Sequence, residues 1–322
     1  MNAFPSQIFG DFRVVSIPTK TNFRGINQRE IALFQGSEGW SEFSPFLEYG
    51  PLEAFTWLTA AIEASNTPWP ELYRQSIPIN ATLPHVAIDK VESILRSFEG
   101  CTTVKIKVSD FENSADLIEE TLNCIPDAKI RLDVNGTWSL DEALLHLHDF
   151  NLRFGKVFEY IEQPCESLSD LAALKAEIPM KIAVDESIRK NLGSDFSTLS
   201  DVADIAILKW APSGGFAAAH KLAEEVGLPV VVSSALDSGI GISHSLALAA
   251  SFRDMNYACG LGTVALLESD IGSPAVIAHD GVLEGARREP DFALVEKYRA
   301  SEERENWWKN RIIEALAAGE EI

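Results

Sequence analysis

Two lysines on one face of a short apolar run, Lys105 and Lys107 within Val104-Lys105-Ile106-Lys107-Val108, are the residues of this chain best suited to chemistry. The run predicts a β-strand, in which alternate side chains share a face. Both ammonium groups then point one way, and Val104, Ile106 and Val108 point the other. Two buried ammonium groups side by side are costly unless strong negative charge lies nearby. Further along, charged residues close a series of short apolar runs: Asp133 after Ile130-Arg131-Leu132, Glu162 after Phe158-Glu159-Tyr160-Ile161, Asp185 after Ile182-Ala183-Val184, and Lys209 after Ile205-Ala206-Ile207-Leu208. Ser233-Ser234 ends Val230-Val231-Val232 in the same way. Three carboxylates converging from neighbouring strands make a hard, all-oxygen site suited to Mg2+, with Mn2+ as the alternative. No histidine or cysteine accompanies them to point to zinc. The six histidines are scattered, and His146 and His148 are two apart on a predicted helix, so they do not share a face. A His-ligated metal or a Ser-His-Asp triad is therefore not expected. A lysine close to a divalent cation and a second lysine has its pKa lowered, and a lysine poised toward neutrality can take a proton. With a cation to stabilise oxyanion charge on a bound carboxylate, the set suits abstraction of a proton α to that carboxylate.

The spacing of these strand ends says which elements must position them. Lys107, Asp133, Glu162, Asp185, Lys209 and Ser233 follow one another at intervals of about 25 residues, the length of one strand, one crossover helix and two loops. Residues 141–149, 169–177 and 214–226 carry apolar positions at helical spacing. Weaker strand candidates at 79–84 and 256–259 bring the strand count to eight. Continuous apolar strands alternating with helices predict a parallel sheet covered by helices, and eight repeats favour a closed, TIM-type (β/α) barrel over an open sheet. In such a barrel the C-terminal strand ends meet at one mouth, where the chemistry of the fold sits. Lys107 and Lys209 then flank the three carboxylates from opposite sides.

Residues outside 81–276 do not follow the repeat. The sequence predicts strands at 14–17 and 31–34, joined by a loop holding Thr21-Asn22-Phe23-Arg24-Gly25-Ile26, and a helix from Pro51 to about residue 65, with proline well placed in its first turn. Near the C-terminus, Gly281-Val282-Leu283 reads as a strand and 292–299 and 306–317 as helices. The expected organisation is an α/β chain in which an α+β capping domain, 1–80 plus 277–322, covers the catalytic barrel of 81–276. Cap segments around Arg24 and across 43–49, rich in aromatic residues, glycine and proline, are expected to close over the mouth.

Composition narrows the partners. The 322-residue chain is 46% hydrophobic and carries a net charge of −21, which argues against nucleic acid or an anionic membrane as partner, since both need basic surface. The four cysteines have no zinc-ligand spacing and no CxxC, as expected for reduced, buried thiols. The first ten residues lack a basic start and an apolar run, and no stretch approaches membrane-spanning length, so a cytoplasmic location is expected. The oligomeric state is not legible.

Lys105-x-Lys107, Asp133-x-Asn135, Glu162-Gln163-Pro164, Asp185-Glu186-Ser187 and Lys209, in this order and spacing, resemble the signature of the enolase superfamily, muconate-lactonizing subgroup. Phe23-Arg24-Gly25-Ile26, Glu42-Phe43-Ser44-Pro45, Arg131-Leu132-Asp133 and the run Ser233-Ser234-Ala235-Leu236-Asp237-Ser238-Gly239-Ile240-Gly241 extend the resemblance over nearly the whole chain. A lysine base beside Mg2+ is a known arrangement of that superfamily. The resemblance implies Asp133, Glu162 and Asp185 as metal ligands, Lys107 as the base and Lys209 as an electrostatic partner on the opposite face. The reaction it implies is dehydration of 2-succinyl-6-hydroxy-2,4-cyclohexadiene-1-carboxylate to 2-succinylbenzoate, a step of menaquinone biosynthesis. Lys105 is expected to support a metal-bound carboxylate or tune Lys107, with Asn135 behind the ligands. Arg131 and Arg24 are further candidates for support or substrate contact, and Ser233, Ser234 and backbone amides near Gly239 for the succinyl tail. Of the adjacent Asp185 and Glu186, which face opposite ways on a strand, only Asp185 is expected to be a ligand. Rival activities are racemisation of N-acylamino acids or epimerisation of dipeptides with the same two lysines. A Schiff-base aldolase and a non-enzymatic metal-binding barrel stand further off.

Overall fold

Residues 10–35 form a hairpin longer than the apolar pattern suggests. In the computed structural model, which describes residues 4–108 and 111–320, β1 (Gly10–Phe23) pairs antiparallel with β2 (Ile26–Gln35). Phe23 lies opposite Ile26, so the expected loop contracts to a two-residue turn at Arg24-Gly25. Both turn residues have positive φ, 53° and 80°, the backbone that matches the twist of a tight hairpin. β3 (Trp40–Phe43) adds to β2, and α1 (Pro51–Asn66) follows with proline in its first turn. The last residues return to this layer: α10 (Phe292–Lys297) leads into α11 (Glu302–Gly319), which packs along α1. Buried Trp308 meets Phe43 edge-on at 5.6 Å and donates its indole N–H to Glu30 at 2.7 Å. The described part of the tail thus joins the cap, while Glu321 and Ile322 lie outside the described residues.

The second body is the parallel sheet. β4 (Ser76–Pro78) pairs with the returning segment Val282–Glu284. The barrel proper runs β5 (Ala81–Leu83), β6 (Thr103–Lys107), β7 (Lys129–Asp133), β8 (Phe158–Glu162), β9 (Ile182–Val184), β10 (Ile205–Lys209) and β11 (Val230–Ser233), each hydrogen-bonded to the next. Between them come α2 (Val91–Leu95), α3 (Phe111–Cys124), α4 (Leu140–Phe154), α5 (Leu168–Glu177), α6 (Glu186–Arg189), α7 (Leu199–Val202) and α8 (Phe216–Val226), and α9 (Gly239–Ser251) follows β11. The eighth position is not a regular strand. Single parallel bridges from Cys259 to Ile79 and from Gly260 to Ser233 span the gap between β11 and β5. The expected strand at 256–259 is thereby reduced to a two-residue seam, because Cys259 and Gly260 pair with different neighbours. The repeat and the seam together give the expected α/β barrel with its α+β cap.

Local signals explain why the crossover helices start where they do. Ser139 accepts from the Glu142 amide while Glu142 reaches back to the Ser139 amide, a reciprocal cap worth about 1 kcal/mol. Ser167 and Ser238 cap α5 and α9 by accepting from the Asp170 and Ile240 amides. The strands are apolar on both faces because helices cover one face and the barrel interior the other. All four cysteines are free, and Cys101, Cys165 and Cys259 are buried, so burial pushes each of those thiols up. Among the described residues no helix is long and apolar enough to cross a membrane.

Candidate active site

In-register pairing of β6, β7 and β8 sets Lys107, Asp133 and Glu162 side by side at the strand ends. Lys105, only 6% exposed, reaches between two carboxylates: its Nζ lies 3.0 Å from Asp133 Oδ2 and 3.1 Å from Glu162 Oε1. Lys107 Nζ is 2.6 Å from the same Asp133 oxygen and donates to Asn135 Oδ1 at 2.9 Å. On the far side, Lys209 at the end of β10 is ion-paired with Asp185. The two lysines therefore enter from opposite flanks of the carboxylate strands.

The electrostatics follow from this crowding. Burial alone pushes the Asp133 carboxyl up, but Lys105 and Lys107 outweigh it and hold it below the usual carboxylate range. Glu162 moves the other way, to about 7, driven by burial and then by Asp133 against the pull of Lys105. For Lys105, burial opposes the charge, yet Asp133 and Glu162 keep the ammonium well above its ordinary value. Lys209 is likewise lowered by burial but raised overall by Asp185 and Glu186.

Asp133 Oδ1 is buried with no hydrogen-bond partner, and so is Glu186 Oε2. Two orphaned carboxylate oxygens, a glutamate driven toward neutrality by burial and then by Asp133, and an all-oxygen donor set of Asp133, Glu162, Asp185 and Glu186 fit a hard divalent cation at this site. Glu99, His279 and Asp280 also bring three ligand atoms within 4.8 Å of one another, but all three are exposed and lie away from the cavity described next.

One cavity joins these groups to the cap. Phe23, Arg24 and Phe46 line it from above, and Lys105, Lys107, Asp133, Asn135, Lys209, Ser233 and Ser234 from the barrel. Glu162 and Asp185 do not line it themselves but pair with Lys105 and Lys209, which do. Arg24 stacks its guanidinium 4.3 Å from the Phe46 ring centroid. Ser234 Oγ donates to the Gly260 carbonyl at 2.8 Å and contacts Thr263 Oγ1 at 2.7 Å.

Two expectations need correction, and a third is narrowed. Of the two roles expected for Arg131, support or substrate contact, its place is support: it is fully buried within the barrel, bonded to Glu159 at 2.6 Å and Asn80 at 2.9 Å and stacked on Tyr160, and does not line the cavity. Gly239 is also absent from the cavity wall, and its amide already donates to Asp270 Oδ1 at 2.8 Å. A Cβ there would lie 2.4 Å from that carboxylate, which accounts for glycine. Finally, Asp185 and Glu186 do not face opposite ways. β9 ends at Val184 and the chain turns helical at Asp185, with φ −118° and ψ −67°, so Glu186 swings into the cavity and accepts from Asn135 Nδ2 at 3.0 Å. Arg189, one helical turn on, lines the cavity as well and pairs with Glu53 of α1 at 2.7 Å. Asp185 and Arg189 four residues apart were the available sign of a helix here.

Comparison with known proteins agrees with this geometry. Residues 14–65 match the family described as enolase N-terminal domain-like, and residues 89–289 the family described as enolase C-terminal domain-like. A protein of Mycolicibacterium smegmatis named o-succinylbenzoate synthase is 41% identical over 301 residues, 93% of each chain. One of the same name from Mycobacterium leprae is 41% identical over 310 residues, 95% of this chain and 92% of its own. Among solved structures, muconate lactonizing enzyme from Pseudomonas fluorescens with muconolactone superposes with a TM-score of 0.73 at 19% identity, over 90% of this chain and 98% of that one. The L-Ala-D/L-Glu epimerase of Bacillus subtilis gives 0.73 at 20% identity, over 87% and 96%. Those two structures speak to the fold.

Proposed function

The chain belongs to the enolase superfamily, and from that premise we propose that it is an o-succinylbenzoate synthase, dehydrating 2-succinyl-6-hydroxy-2,4-cyclohexadiene-1-carboxylate to 2-succinylbenzoate. The observation that carries this reading is two lysines entering one cavity from opposite sides of three buried carboxylates, in a chain 41% identical to named synthases over nearly its full length.

Asp133, Glu162 and Asp185 are the residues that would hold the divalent cation, read here as Mg2+. When bound, that ion supplies Lewis-acid stabilisation of the negative charge that develops on the substrate's ring carboxylate. Lys107 Nζ takes the proton from the carbon bearing that carboxylate. Asn135 holds this amine from the side, at 2.9 Å, and so orients it. Lys209, on the opposite flank, places its ammonium where the enediolate charge accumulates. The abstracted proton and the neighbouring hydroxyl leave together as one water, and the ring becomes aromatic. Lys105 touches two of the ligand carboxylates and sets their spacing. Phe23, Arg24 and Phe46 cover the cavity from the cap, and we assign the division of labour accordingly: 81–276 performs the chemistry, 1–80 and 277–322 enclose it.

Proton NMR distinguishes this reading from racemisation. The cyclohexadiene substrate with Mg2+ is expected to yield 2-succinylbenzoate signals. If instead an N-acylamino acid in D2O exchanges its α-proton while the diene persists, the activity is a racemase.

A further inference from the structure

The cap grips the barrel with two glutamates, each set at the N-terminus of a barrel helix. Glu63 of α1 accepts from the amides of Phe216 and Ala217 at the start of α8, and Gly215 leaves the space it needs. Glu42 of β3 does the same at α9, but more completely. Its Oε2 accepts from the Ser238 hydroxyl, from the Ser238 amide at 3.2 Å and from the Gly241 amide at 3.0 Å. Its Oε1 accepts from Ser44 Oγ at 2.9 Å. Glu42 is 2% exposed, and a Cβ at Gly241 would lie 2.6 Å from its carboxyl carbon. Beside it, buried Arg29 of β2 donates to the carbonyls of Ser44, Ala235 and Leu236. The chain held between these two cap residues is 235–238, and its Ala235, with the adjacent Ser234, is part of the cavity wall.

We propose that Glu42 is a positioning residue: it fixes the wall at Ser234 and Ala235 against the cap, and thereby the fit of the part of the substrate that faces this wall. The proposal rests on the synthase reading and names the cap residue that shapes its pocket. The distinction from Glu63 is geometric. The contacts are of one kind, but residues 210–215, which lead into α8, do not line the cavity, so Glu63 supplies docking without a wall.

The test is steady-state kinetics on Glu42→Ala, Glu42→Gln and Glu63→Ala with Mg2+. Glu42→Ala is expected to raise KM about tenfold or more while kcat stays within about threefold, because the lysines and carboxylates stand on β6 to β10, outside the displaced segment. Glu42→Gln is expected to restore most of the KM, since its carbonyl oxygen can accept at Ser238 and Gly241 while its amide donates to Ser44. Glu63→Ala is expected to lower Tm without moving KM. If Glu42→Ala does not fold, Ser238→Ala, which removes one of the four hydrogen bonds, is expected to give a smaller rise in KM. An unchanged KM in folded Glu42→Ala or, where that variant does not fold, in Ser238→Ala, or an equal rise in Glu63→Ala, overturns the proposal. Amide hydrogen exchange is read in parallel, and faster exchange at 235–241 in Glu42→Ala, but not in Glu63→Ala, is expected. If the variants show this exchange pattern while the wild type does not turn over the diene, the synthase reading fails and the structural part stands.

Discussion

Lys107 and Lys209 occupy equivalent places at the ends of β6 and β10, and their removal has different structural consequences. Lys107 shares Asp133 with Lys105, whereas Lys209 is the ion-pair partner of buried Asp185. Lys107→Ala is expected to lower kcat by about a thousandfold or more with little change in Tm. Lys209→Ala is expected to abolish turnover too, and in metal-free buffer to lose stability as well. An orphaned buried carboxylate costs about 3–5 kcal/mol, and saturating Mg2+ should restore most of it. Circular dichroism melts with and without Mg2+ check this split. Asp185→Asn is expected to weaken Mg2+ binding in calorimetry; unchanged affinity would shift the ligand assignment to Glu186, which the helical turn has brought into the cavity. At this scale the sequence was most legible where a charged residue ends an apolar strand, since strand alternation fixes its face: Lys105, Lys107, Asp133 and Glu162 meet as expected. It was least legible where backbone direction changes, as at Glu186, and where a side chain's partner is far along the chain, as with Asp270 filling the space beside Gly239.

The elements that shape the mouth are held by buried polar contacts between cap and barrel. Arg311 of α11 donates to the carbonyls of Phe46 and Tyr49, at 2.7 and 3.0 Å, and so pins the segment that carries Phe46 over the cavity. Arg311→Ala is expected to raise KM severalfold and to speed cleavage within 44–50, at Phe46, Leu47 or Tyr49, measured by limited chymotrypsin digestion. Glu42 adds a pH dependence. Burial first, and Asp237 next, push its carboxyl from 4.5 to about 7, against hydrogen bonds from Ser238 and Ser44 and the Arg29 charge. A folded-state value above the unfolded one means that the native protein holds this proton more tightly. The group's contribution to stability is then fully present below about pH 4.5 and is lost as pH rises through about 7. Glu42→Gln is expected to flatten the Tm profile across that window. Neither contact was visible in the sequence. Glu42-Phe43-Ser44-Pro45 marked the segment, but nothing in one chain's spacing says that a β3 glutamate caps a helix nearly two hundred residues away.

At the scale of the molecule, the repeat of strand ends was enough to foresee the barrel, because every repeat must supply one strand and one covering helix. The seam at Cys259 and Gly260 was less clear: its apolar run is short, and its pairing is set by neighbours on both sides rather than by its own pattern. If Asp133, Glu162 and Asp185 hold a cation as proposed, the whole fold responds to metal. A cation that binds the native site and not the unfolded chain stabilises by about 2.7 kcal/mol at a hundred times its Kd, so Mg2+ is expected to raise Tm and Asp185→Asn to cancel the rise. The measurement that tests the central claim most directly is the ultraviolet absorbance of 2-succinyl-6-hydroxy-2,4-cyclohexadiene-1-carboxylate, followed with enzyme and Mg2+ and then with excess EDTA. Fast loss of the diene band that stops with EDTA is the predicted result. A folded, Mg2+-binding protein that leaves the diene untouched would contradict the account.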